Sequence, residues 1–334
     1  MKDSNSRIAR LSVKRQLQTL SAMALAAGFM AMSGTSQVSA QALFDGCPSG
    51  QILERFEEFG RSGKMPPDLG KWLNDAEAQK VEPWKPFDNV TFVGVCWVSS
   101  WLIETSEGHV LIDTLYGPFI GQLIENLKST GVDFADIKYV LMTHGHFDHV
   151  GGAAALKPLL PNAKFVMTQG GWDEAIESAE KSQGRRAWKM IEQDMVVEDG
   201  DTIELGDNSF KVIETPGHTW GTASYSYDVE DGDDTYRAIT IGGLGLNAID
   251  GPPQVEAYIE SVDRVRALVE SGDETVEVHL TTHGFSNNLD ENRQKHLTRK
   301  PGEPNVFVDP QALLSQVETL RAGAVKRLEI EKKK

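Results

Sequence analysis

The spacing of hydrophobic positions along this chain switches repeatedly between two rhythms. From Trp84 onward, the run VTFVGVCWVSSWLIETSEGHVLIDT is β-rich and predicts strands, two of them joined by the turn SEG. A helix over YGPFIGQLIENLKSTG, a strand over IKYVLMT, a helix over GGAAALKPLL and a strand over AKFVMT follow in turn. One or two helices are expected in GWDEAIESAEKSQGRRAWKMIEQ, then hairpins in DTIELGDNSFKVIETPG and TASYSYDVEDGDDTYRAITIGG. The chain closes with a long helix around VEAYIESVDRVRALVES, the strand VEVHLTTHG and a helix from Pro310. Strands and helices alternate in two halves without a solenoid repeat or a linker, which predicts one α/β domain with strands inside and helices outside.

Ahead of this body, QILERFEEFGRSGKMPPDLGKWLNDAEAQKVE reads as one or two helices broken between residues 60 and 67, an N-terminal helical arm over 41–83 before a domain spanning 84–334. The first forty residues are of another kind. A basic start, MKDSNSRIARLSVKR, precedes the apolar run LSAMALAAGFMAM, and VSA at 38–40 has the small residues of a cleavage site. The apolar run is shorter than the roughly 20 residues a membrane span needs, so residues 1–40 are expected to be an export signal and the mature protein periplasmic or secreted.

Composition narrows the partners. The 334 residues are 40% hydrophobic, enough for a sizeable core, and carry a formal net charge of −16. Loss of the cationic signal makes the mature chain more acidic still, which disfavours nucleic acid and anionic membranes and leaves a small-molecule substrate. Cys47 and Cys96 are the two cysteines. Cys96 falls in a predicted buried strand, so two separate thiols are the expectation, with a disulfide open in an oxidising compartment. Without a CxxC pair, thiolate zinc clusters and thioredoxin chemistry are not indicated.

The densest chemistry lies in VLMTHGHFDHVGG, where His144, His146, Asp148 and His149 fall within six residues at the end of a predicted strand. Residues two apart can project to one side, so His144 and His146 can grip one ion while Asp148 and His149 turn toward a second. Two further histidines sit at strand ends, His218 in TPGHTWG and His283 in LTTHG. Six such ligands suffice for two metals held by three protein groups each, and imidazole with carboxylate suits zinc. His109, His279 and His296 read as structural or solvent-facing.

THGHFDHVGG, VLIDT and TPGHTWGTASY resemble successive motifs of the metallo-β-lactamase superfamily, and the likeness runs from about Trp84 to the C-terminus. EPWKPFDNVTFVGV, TSEGHVLIDT, LTTHGFSN and NVFVDPQALLSQVE are most similar to the third, cysteine-free subclass of class B β-lactamases. The resemblance implies an αββα four-layer sandwich of two mixed β-sheets with helices outside. It also implies two zinc ions, one on His144, His146 and His218, the other on Asp148, His149 and His283, with Asp113 orienting the metal loop from behind. The implied activity is opening of a β-lactam or similar cyclic amide by a metal-activated water, with Asp148 both ligand and catalytic orienter, and so antibiotic resistance.

Two departures bear on the substrate. Glyoxalase-II-like hydrolases, many lactonases and flavodiiron proteins carry a metal-bridging aspartate where this chain aligns Gly243. Members acting on β-lactams commonly carry serines that hold the drug's carboxylate where Gly243 and Gly245 stand here. Asn247, Ser286 or Asn287 would have to substitute, and Trp220 and Phe285 are candidate pocket walls, with Trp97 and Trp101 as readily core. The alternative is therefore the same fold and metals acting on a lactone, ester or other carbonyl compound.

Overall fold

In the computed structural model, residues 44–333 are described apart from 185–186 and 273–274. The expected export signal over 1–40 lies outside the described residues. Twelve strands form two sheets among them. The first runs β1 Trp84–Phe87, β2 Val90–Phe92, β3 Trp101–Thr105, β4 Gly108–Ile112, β5 Ile137–Leu141, β6 Lys164–Met167 and β7 Met195–Val196, in that spatial order. Pairing is antiparallel through β4 and parallel from β4 to β7.

The second sheet holds β8 Thr202–Leu205, β9 Asn208–Glu214, β10 Ala223–Asp231, β11 Asp234–Thr240 and β12 Val276–His279, ordered β12-β11-β10-β9-β8. Only its β11–β12 pair is parallel, so both sheets are mixed, as the resemblance implied. Parallel neighbours need a crossover, and the helix Pro252–Glu270 supplies the one between β11 and β12. Central strand β10 is buried along most of its length, because both faces of its sheet are covered.

The sheets meet at the ends that carry the histidines. Tyr225 Oη of β10 donates to Met142 O at 3.0 Å, and Ala223 N donates to Thr143 O at 2.8 Å, stitching the start of β10 to the loop after β5. On the outer side of the second sheet, Val255, Tyr258, Val262 and Val265 of Pro252–Glu270 pack with Leu313 and Val317 of the helix Pro310–Glu331 against Ile213 and Ile239. Leu123 and Leu127 of helix Ile120–Ser129, with Trp172 of helix Gln169–Lys181, join the core built on the first sheet. Thr168 caps the latter helix by accepting from Gly171 N.

The arm breaks where its sequence said it would. Helix α1, Ser49–Ser62, ends on Gly63 in a left-handed conformation, and α2, Pro67–Trp72, restarts with proline at its first position. Phe44, Ile52, Leu69 and Trp72 are all buried in the core shared with the first sheet. Ser49 donates through N and Oγ to the Glu291 carboxylate at 2.9 and 2.7 Å, tying the start of α1 to the helix Leu289–Leu297. Among the described residues, no helix is long and apolar enough to cross a membrane.

Cys96 departs from expectation twice: it lies in a bend, and it is bonded to Cys47. The apolar run VGVCWV is a tight buried loop, closed by Val95 N donating to Val98 O at 2.9 Å. Gly94 makes the loop possible, since a β-carbon there would come within 2.6 Å of Ser100 N and 2.7 Å of Val98 O. Hydrophobic continuity alone could not separate such a loop from a strand. The helix Leu289–Leu297, polar nearly throughout, was also missed.

Candidate metal centre

Four short segments deliver the site. Past β5, Met142 and Thr143 lead to His144 and His146, and the short helix Phe147–Val150 presents Asp148 and His149. His218 lies between β9 and β10, and His283 follows β12. Two helices brace the His218 loop: Gln254 Nε2 donates to Gly217 O and His218 O at 2.9 and 3.2 Å, and Glu174 Oε1 accepts from Trp220 N and Gly221 N at 2.8 and 3.1 Å.

The six side chains named from sequence converge as two groups, His144 with His146 and His218, and Asp148 with His149 and His283, the ligand atoms of each lying within 4.8 Å of one another. In the first, His146 Nδ1 is 3.2 Å from His144 Nε2 and 3.0 Å from His218 Nε2. In the second, His149 Nε2 is 3.3 Å from His283 Nε2 and 3.3 Å from Asp148 Oδ2, which is 3.7 Å from His283 Nε2. Ligands about 2.05 Å from a tetrahedral zinc are spaced about 3.3 Å apart, so both triangles have the size such an ion requires.

Hydrogen-bond logic points the same way. His218 Nδ1 faces Gly245 O at 2.6 Å and His283 Nδ1 faces Trp97 O at 2.8 Å; a carbonyl only accepts, so each Nδ1 carries the proton. His149 Nδ1 faces Asp113 Oδ2 at 2.7 Å. Thr143 Oγ1 spends its proton on the Asp113 carboxylate at 3.0 Å and so accepts from His144 Nδ1 at 3.1 Å. The Nε2 lone pairs of His144 and His218 are therefore aimed at the same point, where His146 can contribute at most one proton. Such a convergence of lone pairs is relieved by a cation, and the donor set fits zinc.

Asp113 is the buried anchor. Its φ of 60° is left-handed, a conformation aspartate tolerates better than most residues, and it turns the carboxylate back under the histidine loop. There it accepts from Thr143 N at 2.8 Å as well as from Thr143 Oγ1 and His149. Thr143 itself was not singled out from sequence, although its place between the strand and His144 was the available signal.

Electrostatics divide the histidines. Burial holds His144 well below its ordinary range, reinforced by His149 and His218, and lowers His146 as well. Burial and neighbouring histidines bring His218 to about 3 and His283 to about 4. Burial also opposes a charged His149, but Asp148 and Asp113 overcome it and raise that ring to about 10. Asp148 is ionised despite its burial, because His149 and His283 hold it well below the usual carboxylate range. The first group is thus neutral and ready for metal at pH 7, whereas His149 must surrender a proton.

The pocket candidates separate. Trp220 is 55% exposed beside His218, its indole free to face a ligand. Gly243, with φ +64, backs directly on His218: a β-carbon would come within 2.5 Å of the His218 Cβ, so this glycine is demanded by packing. Gly245 contributes the carbonyl that holds His218, and Asn247 is exposed next to it. Ser286 does not offer a free hydroxyl, because its Oγ bonds Thr281 Oγ1 at 2.7 Å and His283 O at 2.8 Å. Asn287 likewise donates its amide inward, to His279 O. Phe285 flanks His283 at 5.6 Å between ring centres, and Trp97 does so at 5.0 Å. Trp101 is core, donating Nε1 to Thr281 O. His279 is buried and bonded to Gln316, and His109 and His296 are partly buried away from the two groups.

Comparison with known proteins agrees with this geometry. Residues 93–232 match the model of the metallo-beta-lactamase superfamily. A subclass B3 metallo-β-lactamase of Bradyrhizobium japonicum superposes with a TM-score of 0.67 at 26% identity, covering 76% of this chain and 96% of that one. A metallo-β-lactamase of Cronobacter sakazakii, in a mutant form, superposes with a TM-score of 0.66 at 27% identity, over 76% and 99% of the two chains. Among curated proteins, an anaerobic nitric oxide reductase flavorubredoxin of Salmonella typhi is 31% identical over 134 residues, 40% of this chain. The match spans about a quarter of that relative's length, 26%.

Proposed function

Residues 93–232 are a metallo-β-lactamase superfamily segment set in a fold shared with subclass B3 enzymes, and on that premise we propose that the protein is a periplasmic binuclear zinc hydrolase that opens β-lactams or similar cyclic amides. The observation that carries this reading is the pair of ligand triangles, each sized for one ion and each built from residues of both halves of the chain. Zinc bound there would supply a water of lowered pKa and a Lewis acid for the substrate carbonyl.

The chain's own residues do the rest. Asp148, ionised beside His149 and His283, would hold the metal through Oδ2 and leave Oδ1 to accept a hydrogen bond from the water to be activated. Asp113 and Thr143 hold His149 and His144 in the tautomers that aim Nε2 inward. Gly245 O and Trp97 O do the same for His218 and His283. No serine or cysteine nucleophile is needed, and both cysteines are committed to a disulfide. That disulfide, with the basic and apolar segment over 1–40, supports export to an oxidising compartment; cell fractionation tests it.

The deciding experiment is hydrolysis of a chromogenic cephalosporin and a carbapenem by the zinc-loaded protein, beside His146→Ala. Metal-dependent turnover lost in the variant is expected; intact drugs with two zinc ions bound would overturn the cyclic-amide reading. A second reading, a lactone or ester hydrolase on the same metals, is favoured by one observation. Gly243 and Gly245 carry no hydroxyl, Ser286 Oγ is bonded to Thr281 Oγ1 and His283 O, and the Asn287 amide donates to His279 O, so none of these four positions offers a free hydroxyl to a drug carboxylate.

A further inference from the structure

A segment that precedes the superfamily match packs against the rings that flank His283. Phe56 of α1 stacks on Phe285 with ring centres 4.9 Å apart and 16° between planes, and on Trp97 at 5.9 Å and 19°. Trp97 and Phe285 are the two rings that flank His283. From Trp97 the contacts continue edge-on to Tyr116 at 6.0 Å, and from Tyr116 to Phe147 at 4.9 Å. Phe147 adjoins His146 and is 45% exposed, while Phe56 and Phe285 are partly exposed. An aromatic collar thus runs from Phe147 beside His146 to Phe285 beside His283, open to solvent at Phe147, partly so at Phe56 and Phe285, and buried at Trp97 and Tyr116.

The arm is held rigidly in this place. The Cys47–Cys96 disulfide joins its start to the residue before Trp97, and the Glu291 carboxylate takes both the amide and the hydroxyl of Ser49. Gln79, later in the arm, accepts Cys96 N at its carbonyl and Trp97 N at its side chain. Phe56 is therefore presented as a fixed surface, and flat rings prefer to receive other flat or apolar groups in offset stacks.

We propose that α1 is a wall of the substrate site and that the collar selects acyl substrates carrying an aryl or other flat apolar group beside the scissile carbonyl. Phe56 is the specificity-determining residue, acting on the substituent rather than on the bond that breaks. The proposal rests on the hydrolase reading of the same site, so its test includes binding without turnover.

Binding of phenylacetate and of acetate, which share the carboxylate and differ in the ring, is followed by tryptophan fluorescence on the full, zinc-loaded chain. Phe56→Ala is expected to weaken phenylacetate about tenfold while leaving acetate binding and zinc stoichiometry unchanged, and Phe56→Trp to restore the preference. In turnover, benzylpenicillin is compared with the same bicycle lacking its aryl side chain, and arylacetyl with acetyl esters. Phe56→Ala is expected to raise KM for the aryl members alone, with kcat little changed. Equal effects on aryl and non-aryl ligands, or an unaltered preference in the alanine variant, would overturn the proposal. Absence of turnover in every panel would instead remove the hydrolase reading, with the binding comparison still deciding the collar.

Discussion

Asp113 shows how much a single residue can carry. It touches no proposed metal position, yet one fully buried carboxylate sets the proton on His149 and, through Thr143, on His144. Partners of this kind commonly contribute 10–100-fold to metal affinity. Asp113→Ala is expected to lower zinc affinity by about that factor, measured by chelator competition, with the larger loss in the group containing His149. The convergence of the six side chains into two groups was legible from sequence because they sit at strand ends in short motifs, where spacing nearly determines geometry. Phe56 was not legible: its partners Trp97 and Phe285 are distant in sequence, and nothing near it distinguishes it from any other apolar position on an amphipathic helix. Ser286 failed in the other direction, since a hydroxyl's availability depends on neighbours that composition does not reveal.

Among elements, the arm and the loop 94–100 behave as one unit. The arm's helices and their break could be read from periodicity and from Gly63 and the Pro66–Pro67 pair, whereas the loop could not be told from a strand. Its disulfide spans a sequence separation of 49 residues, for which chain entropy predicts about 4 kcal/mol of stabilisation and measured values commonly fall at about 2–4. The double variant Cys47→Ser, Cys96→Ser is expected to lose about 2–4 kcal/mol in denaturant unfolding. It should keep zinc on His144, His146 and His218 while weakening the group containing His283, whose Nδ1 rests on Trp97 O beside Cys96. Equal weakening of both groups would show that the arm supports the fold generally and not that ligand.

On the scale of the whole molecule, the buried histidines give the metal-free protein a definite pH profile. His218, His283 and His279 are held at about 3, 4 and 4. The unfolded chain therefore gains protons that the folded one refuses as pH falls below about 6.5, and the stability from their neutral state is lost toward acid. His149, at about 10, works in the opposite sense. Its contribution is complete below about 6.5 and is lost as pH rises through its folded value. The metal-free melting temperature is expected to peak near neutrality and fall on both sides. Zinc, replacing the His149 proton, should flatten the alkaline flank and release about one proton on binding at pH 7, read by calorimetry in buffers of different ionisation enthalpy.

Each ligand triangle draws two residues from the loop after β5 and one from the second half of the chain, His218 or His283. Neither half owns a complete set. As the chain folds, His144, His146, Asp148 and His149 come together early in sequence, but the first triangle stays open until the turn between β9 and β10 forms, and the second until β12 has docked. Metal capture by these triangles would then come late in assembly: a stalled or truncated copy would offer an ion two ligands instead of three, and only a finished one would offer both complete sets.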